Sequence, residues 1–114
     1  MERDDQGMSY NFRFLNIAGD VAELLTLKFA SLGAKSTDHF EGEGKCVVVP
    51  ITHSGQARRL REAMETHAVS PGHVDVFASL LTEMDTGIIG APEFVLDVVR
   101  ETGAGLTFSY TYVG

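Results

Sequence analysis

The chain has no tryptophan, one cysteine and three prolines in 114 residues. A lone thiol, Cys46, excludes an internal disulfide and fits a reducing, cytoplasmic setting. No apolar run approaches the ~20 residues that a membrane-spanning helix needs. The stretch Met1 to Gly7 is polar and lacks the apolar segment of a secretory signal. Residues 1–8 therefore read as a disordered lead, with Met8 as an alternative start, and residues 9–114 as a single domain. Cations are scarce, with nine Lys and Arg against sixteen Asp and Glu, for a formal charge of −7. That sign disfavours nucleic acid phosphates and anionic lipid and favours a basic protein partner. Solubility alone is also an ordinary use for such a charge.

What is present is a regular alternation of strand and helix patterns. From Tyr10 to Ile17, Tyr10, Phe12 and Phe14 share one face while Asn11 and Arg13 take the other. Gly19-Asp20 opens a helix, with Asp20 as N-cap and Glu23 at capping-box spacing. Val21, Leu24, Leu25 and Leu32 form its apolar stripe and Gly33 its stop. Ala34 to Gly44 is polar and punctuated by glycine, and reads as a loop or hairpin arm. Cys46-Val47-Val48-Val49 is apolar on both faces, as a central strand is. A second helix follows Thr52-His53-Ser54-Gly55, burying Ala57, Leu60 and Met64 and ending at Ser70-Pro71-Gly72. His73 to Glu83 alternates as a third strand. After a loop from Met84 to Gly90, Pro92 opens a third helix, stopped by Gly103.

The last strand alternates strictly: Leu106, Phe108, Tyr110 and Tyr112 one way, Thr107, Ser109 and Thr111 the other. That pattern belongs to a sheet with one face under helices and one facing water or a partner. A faint echo links Leu32-Gly33-Ala34 with Thr102-Gly103-Ala104. The predicted order is βαβαβαβ, an α+β ferredoxin-like or related sandwich, its sheet mainly antiparallel and its helices on one face. Phe12, Phe14, Phe108 and Tyr110 are expected to share the core beneath those helices.

No arrangement of residues rises to a catalytic motif. Gly42-Glu43-Gly44-Lys45 has the look of a phosphate loop, but the lysine runs into a strand, not a helix N-terminus, so a hairpin turn is expected. His39, His53, His67 and His73 lack zinc-ligand spacing with each other or with Cys46. Cys46 in a valine run reads as a small buried hydrophobe. Ser54 lacks a nucleophile elbow and reads as a helix cap. The pairs Glu41 with Glu43 and Glu83 with Asp85 sit in polar runs, where solvated charge outweighs acid–base chemistry. Arg58, Arg59 and Arg61, beside Glu62 and Glu65, read as a helix surface.

The layout from Asn11 to Val113 resembles a family of short bacterial domains of unknown function, akin to the immunity proteins of polymorphic toxin systems. The residues that carry the resemblance are Pro92-Glu93-Phe94-Val95-Leu96, Thr102-Gly103-Ala104, Tyr110-Thr111-Tyr112-Val113, and Val47-Val48-Val49 with its Ser54-led helix. It implies a binding protein with no enzymatic activity, cofactor or metal, which neutralises a toxin by stoichiometric binding. Asp38, Glu41, Glu43, Glu83 and Asp85 are the expected partner contacts, because they concentrate in two segments without helix or strand period. The alternative is a small-molecule-binding sensor or regulatory module of ferredoxin-like fold. The exposed sheet face leaves a symmetric homodimer open.

Overall fold

A computed structural model describes residues 9–38, 44–82 and 92–112; the side chains of 38, 80–82 and 108–112 fall outside that description. The described elements are β1 (Ser9–Ile17), α1 (Gly19–Lys28), a 3-10 turn (Ala30–Leu32), β2 (Lys35–Asp38) and β3 (Lys45–Pro50). Then come α2 (Gln56–Thr66), a second 3-10 turn (Pro71–His73), β4 (Val74–Thr82), α3 (Glu93–Thr102) and β5 (Gly105–Tyr112). The predicted βαβαβαβ order thus omits one strand. Lys35–Asp38 pairs antiparallel with Lys45 to Val48. At four polar residues it is too short to display an apolar alternation, so its signal is lost among turn residues.

The sheet runs β2-β3-β1-β4-β5, and only the β4–β5 pair is parallel. β1 and β2 are joined through α1 with β3 lying between them, and β3 and β4 through α2 with β1 between them. These are two interleaved split βαβ units, to which α3 and β5 add a parallel strand at the edge. The full five-strand order is therefore not a plain ferredoxin-like pattern.

Alternation sorts the sheet into two faces. Phe12, Phe14, Val47, Val49, Val74 and Val76 are buried in one cluster with Ala22, Leu25 and Phe29, with Ala57, Leu60, Ala63 and Met64, and with Val95 and Val98. All three helices thus cover the same face, as expected. Phe12 and Phe14 are fully buried and meet edge to face, with ring centroids 5.0 Å apart. Leu106 packs at the margin of this core. Whether Phe108 and Tyr110 join it lies outside the described side chains.

Helix boundaries repay comparison with the sequence. Asp20 is not the N-cap of α1: Ala18 holds that place, and Asp20 lies in the first turn, accepting a hydrogen bond from the Val21 amide (2.9 Å). Leu24 and Leu27 are exposed, at 53% and 69%, and the buried stripe of α1 is Ala22, Leu25 and Phe29. Ser54 does not cap α2 either; its hydroxyl turns to Asp97 instead. Gly103 does stop α3, whereas α1 ends earlier than expected, at Lys28 with Phe29 as its C-cap, and Gly33 closes the 3-10 turn that follows; both glycines have a left-handed backbone (φ 74° and 89°). The faint echo in the sequence was the repeat of that cap.

The end of α2 departs most from expectation. It comes at Thr66, not at Ser70-Pro71-Gly72. The Val69 amide donates to Met64 O (2.8 Å) and the Ala68 amide to Glu65 O (3.4 Å), the paired bonds of a Schellman cap. The left-handed residue of such a cap is usually glycine, and here it is Ala68 at φ 56°. An alanine signals no stop in a sequence, and its Cβ makes that backbone unfavourable by about 1–2 kcal/mol. Ala68→Gly is therefore expected to stabilise the protein by about 1 kcal/mol and to raise its melting midpoint by a few degrees. An unchanged or lower midpoint would show that Ala68 bears no net strain.

Candidate functional site

A cleft of about 540 Å³ opens at one end of the sheet. Three segments meet there: the start of β1 (Ser9, Tyr10, Asn11), the exit from β3 (Pro50, Ile51, Thr52) and the approach to α3 (Pro92, Phe94). Tyr10 and Phe94 pack edge to face across it, 5.9 Å between centroids and 88° between planes. Each position follows from local sequence. Tyr10 shares the core-side face of β1 with Phe12 and lies only partly covered at the strand end. Pro92 holds an extended backbone at the head of α3 and sends Phe94 one residue into the helix. The walls are mainly apolar, with Ser9, Asn11 and Thr52 as the polar groups at hand. Burial pushes the Tyr10 phenol above its ordinary pKa, so at neutral pH it remains a hydrogen-bond donor.

The loop forming one wall is pinned by a side chain the sequence did not single out. Gln56 is fully buried. Its Oε1 accepts from the amides of Thr52 (2.6 Å) and His53 (3.0 Å), and its Nε2 donates to Pro50 O (2.8 Å). Ile51 N donates to Tyr10 O (2.9 Å) and ties the same loop to β1. A buried amide with both ends satisfied is a rigid brace, and an empty amide end there would cost roughly 1–3 kcal/mol. A second brace crosses from this loop to α3: Ser54 Oγ donates to Asp97 Oδ2 (2.7 Å). Arg100 donates to Asp97 (2.5 Å) and to Glu93 (3.0 Å). The Ser54 hydroxyl, and after it Arg100, hold the Asp97 carboxyl below the usual carboxylate range. All three groups lie on the surface, where such pairs contribute little to stability.

The face of the sheet away from the helices carries a second polar cluster. Arg13 grips Asp75 with two hydrogen bonds, Nε to Oδ1 (2.8 Å) and Nη2 to Oδ2 (2.5 Å). Thr107 donates to Asp75 Oδ2 (3.1 Å), and the guanidinium lies 4.3 Å from the Phe77 ring centroid. The hydrogen bonds that Arg13 donates to Asp75 raise the Arg13 pKa further, keeping the cation fixed. Arg13 and Thr107 both donate to Asp75, so the set reads as a structural clasp. Cys46 lies on the same face, buried, opposite Thr37 in the β2–β3 register. Burial pushes its thiol up, which keeps it protonated and a poor nucleophile.

The histidines are dispersed. His53 lies in the β3–α2 loop, whereas His67 and His73 line a smaller cleft of about 320 Å³ at the opposite end of the sheet. His73 Nδ1 is 3.2 Å from Leu15 O. Among the described residues no three of His, Cys, Asp or Glu converge as metal ligands would. His39 lies outside the described residues.

Of the expected partner contacts, Glu41, Glu43, Glu83 and Asp85 also lie outside the described residues. Asp38 ends β2, opposite Lys45 in register. Asp38 and Gly44 bracket residues 39–43 at the end of the sheet where Ile17 pairs with Lys45. Thr82 leaves β4 beyond the Ser9–Ser79 pair, at the end bearing the large cleft. These exits are separated by the length of β1, nine residues or about 30 Å.

Comparison of the chain with family models, with curated proteins and with solved structures returns no match. No helix among the described residues is long and apolar enough to cross a membrane.

Proposed function

We propose that this chain is a non-enzymatic binding domain, a ferredoxin-like unit of β1 to β4 extended by α3 and β5. Its end cleft takes a small, mostly apolar ligand, so the domain works as a sensor or regulatory module. The observation that carries this reading is the cleft itself. Its size falls among small-molecule sites, its walls are aromatic, aliphatic and proline, and a few polar groups stand at its edges. The Gln56 brace keeps one wall in place before a ligand arrives, which lowers the ordering cost of binding. Titration with a panel of neutral aromatic and aliphatic compounds, followed by thermal shift and calorimetry, is expected to find saturable binders. Phe94→Ala should weaken them about tenfold or more, the loss of roughly 1.4 kcal/mol of contact. The absence of binders, or binders indifferent to Phe94, would reject the reading.

The distribution of charge favours a second reading: an immunity-type cytoplasmic protein that neutralises a basic toxin by stoichiometric binding. Five of the sixteen acidic residues, Asp38, Glu41, Glu43, Glu83 and Asp85, fall in two short stretches of the sequence, 38–43 and 83–85. Acidic stretches of this kind, in a chain of formal charge −7, suit a basic partner. Asp38, Glu41 and Glu43 form one candidate contact set, and Glu83 and Asp85 another. Association with the product of a neighbouring toxin gene should slow as salt rises. Charge reversal of Glu41 with Glu43, or of Glu83 with Asp85, should slow it strongly. Tight binding that ignores salt and both reversals would remove the acidic segments from the interface.

A further inference from the structure

The two edges of the sheet differ in kind. β2 is four residues long and carries Lys35 and Asp38, short and charged as edges that resist pairing commonly are. β5 runs for eight residues, Gly105–Tyr112, with no charged residue and no proline. Among the described residues, no strand pairs with its outer side. A long, uncharged edge of β-prone residues is a template for another strand.

We propose that the strand it takes is β5 of a second copy of this chain. The two strands run antiparallel about a two-fold axis normal to the sheet, giving one continuous sheet of ten strands. Such an axis keeps both helix layers on the same side and both open faces on the other. The sequence of β5 is complementary to its own reverse. With the axis at Ser109, Thr107 stands opposite Thr111, Leu106 opposite Tyr112, and Phe108 opposite Tyr110. Hydroxyl residues meet hydroxyl residues and apolar residues meet aromatic ones, the pairings that stabilise antiparallel neighbours.

Charge points the same way. A chain of formal charge −7 repels its copy wherever acidic segments meet. β5 is charge-free, and Asp75, the carboxylate beside it, is already neutralised by Arg13 and bonded to Thr107. The edge is thus where two copies can meet without opposing like charges. A foreign strand would need no such symmetry, and nothing in β5 selects one.

Sedimentation velocity of the full chain over a concentration series is expected to show a monomer–dimer equilibrium. Ser109→Lys and Ser109→Glu would each set like charges together on the axis and should weaken dimerisation about tenfold or more. An equimolar mixture of the two variants should restore a dimer, now mixed. Circular dichroism of each variant checks that it remains folded, and Thr111→Lys with Thr111→Glu serves as a second pair should position 109 prove essential for folding. A wild-type chain that stays monomeric would overturn the proposal. So would variants that dimerise as tightly as wild type, or a mixture that fails to restore the dimer.

Discussion

The molecule is organised by the alternation of one strand. β1 is hydrogen-bonded to β3 on one side and to β4 on the other, and its successive residues point to opposite faces of the sheet. Phe12 and Phe14 enter the core under the helices, and Arg13 between them enters the clasp with Asp75. A shift of register by one residue would exchange these sets. It would drive a guanidinium into the apolar core and two phenyl rings onto the open face. Burial of an unpaired charge costs several kcal/mol, and exposure of two Phe side chains adds roughly 1.5–3 kcal/mol each. Since Arg13 and Asp75 are themselves register partners, the clasp marks the correct alignment of β1 with β4 as well as filling its face.

Once β1 is aligned, the two ends of the sheet acquire distinct characters. At one end the start of β1, the exit from β3 and the head of α3 converge, and the aromatic pair Tyr10 and Phe94 lines a cleft. Gln56 and Ser54 hold that end together from the α2 side. At the other end the β-bulge between Phe14 and Ile17 lies close to the Schellman cap of α2, where two non-glycine residues, Asn16 and Ala68, adopt left-handed backbones. Asn tolerates that conformation readily and alanine does not. The left-handed backbones at the second end are thus accounted for by the bulge at Asn16 and the helix cap at Ala68.

Much of this architecture was legible in the sequence, for identifiable reasons. Strands with strict period-two alternation, β1 and β4, were readable because burial on one face enforces that period. Gly103 was readable as the stop of α3, and Gly33 as a turn residue, because a left-handed backbone selects glycine; that α1 itself ends at Lys28, before the 3-10 turn, had no such mark. What was missed had no such signature. β2 is four polar residues, and nothing in Lys35 to Asp38 distinguishes an edge strand from a loop. Ala68 performs a glycine's task without being one. Leu24 looked buried because an apolar residue in a helix pattern is taken for core, yet the helix turns it outward. Gln56 was passed over because a glutamine after a loop is normally solvated; only the three backbone groups converging on it reveal the brace. The cleft was illegible in principle, since Tyr10, Pro50 and Phe94 are far apart in sequence and are brought together by the order of the strands.

The claim that β1 divides and aligns the molecule is open to a direct measurement, native-state hydrogen exchange across a denaturant series. If β1 is the element on which the rest depends, the amides of Phe12, Arg13 and Phe14 should exchange only through global unfolding, with the full denaturant sensitivity of that transition. Exchange of those amides through a local opening of lower free energy, with little denaturant dependence, would contradict the account.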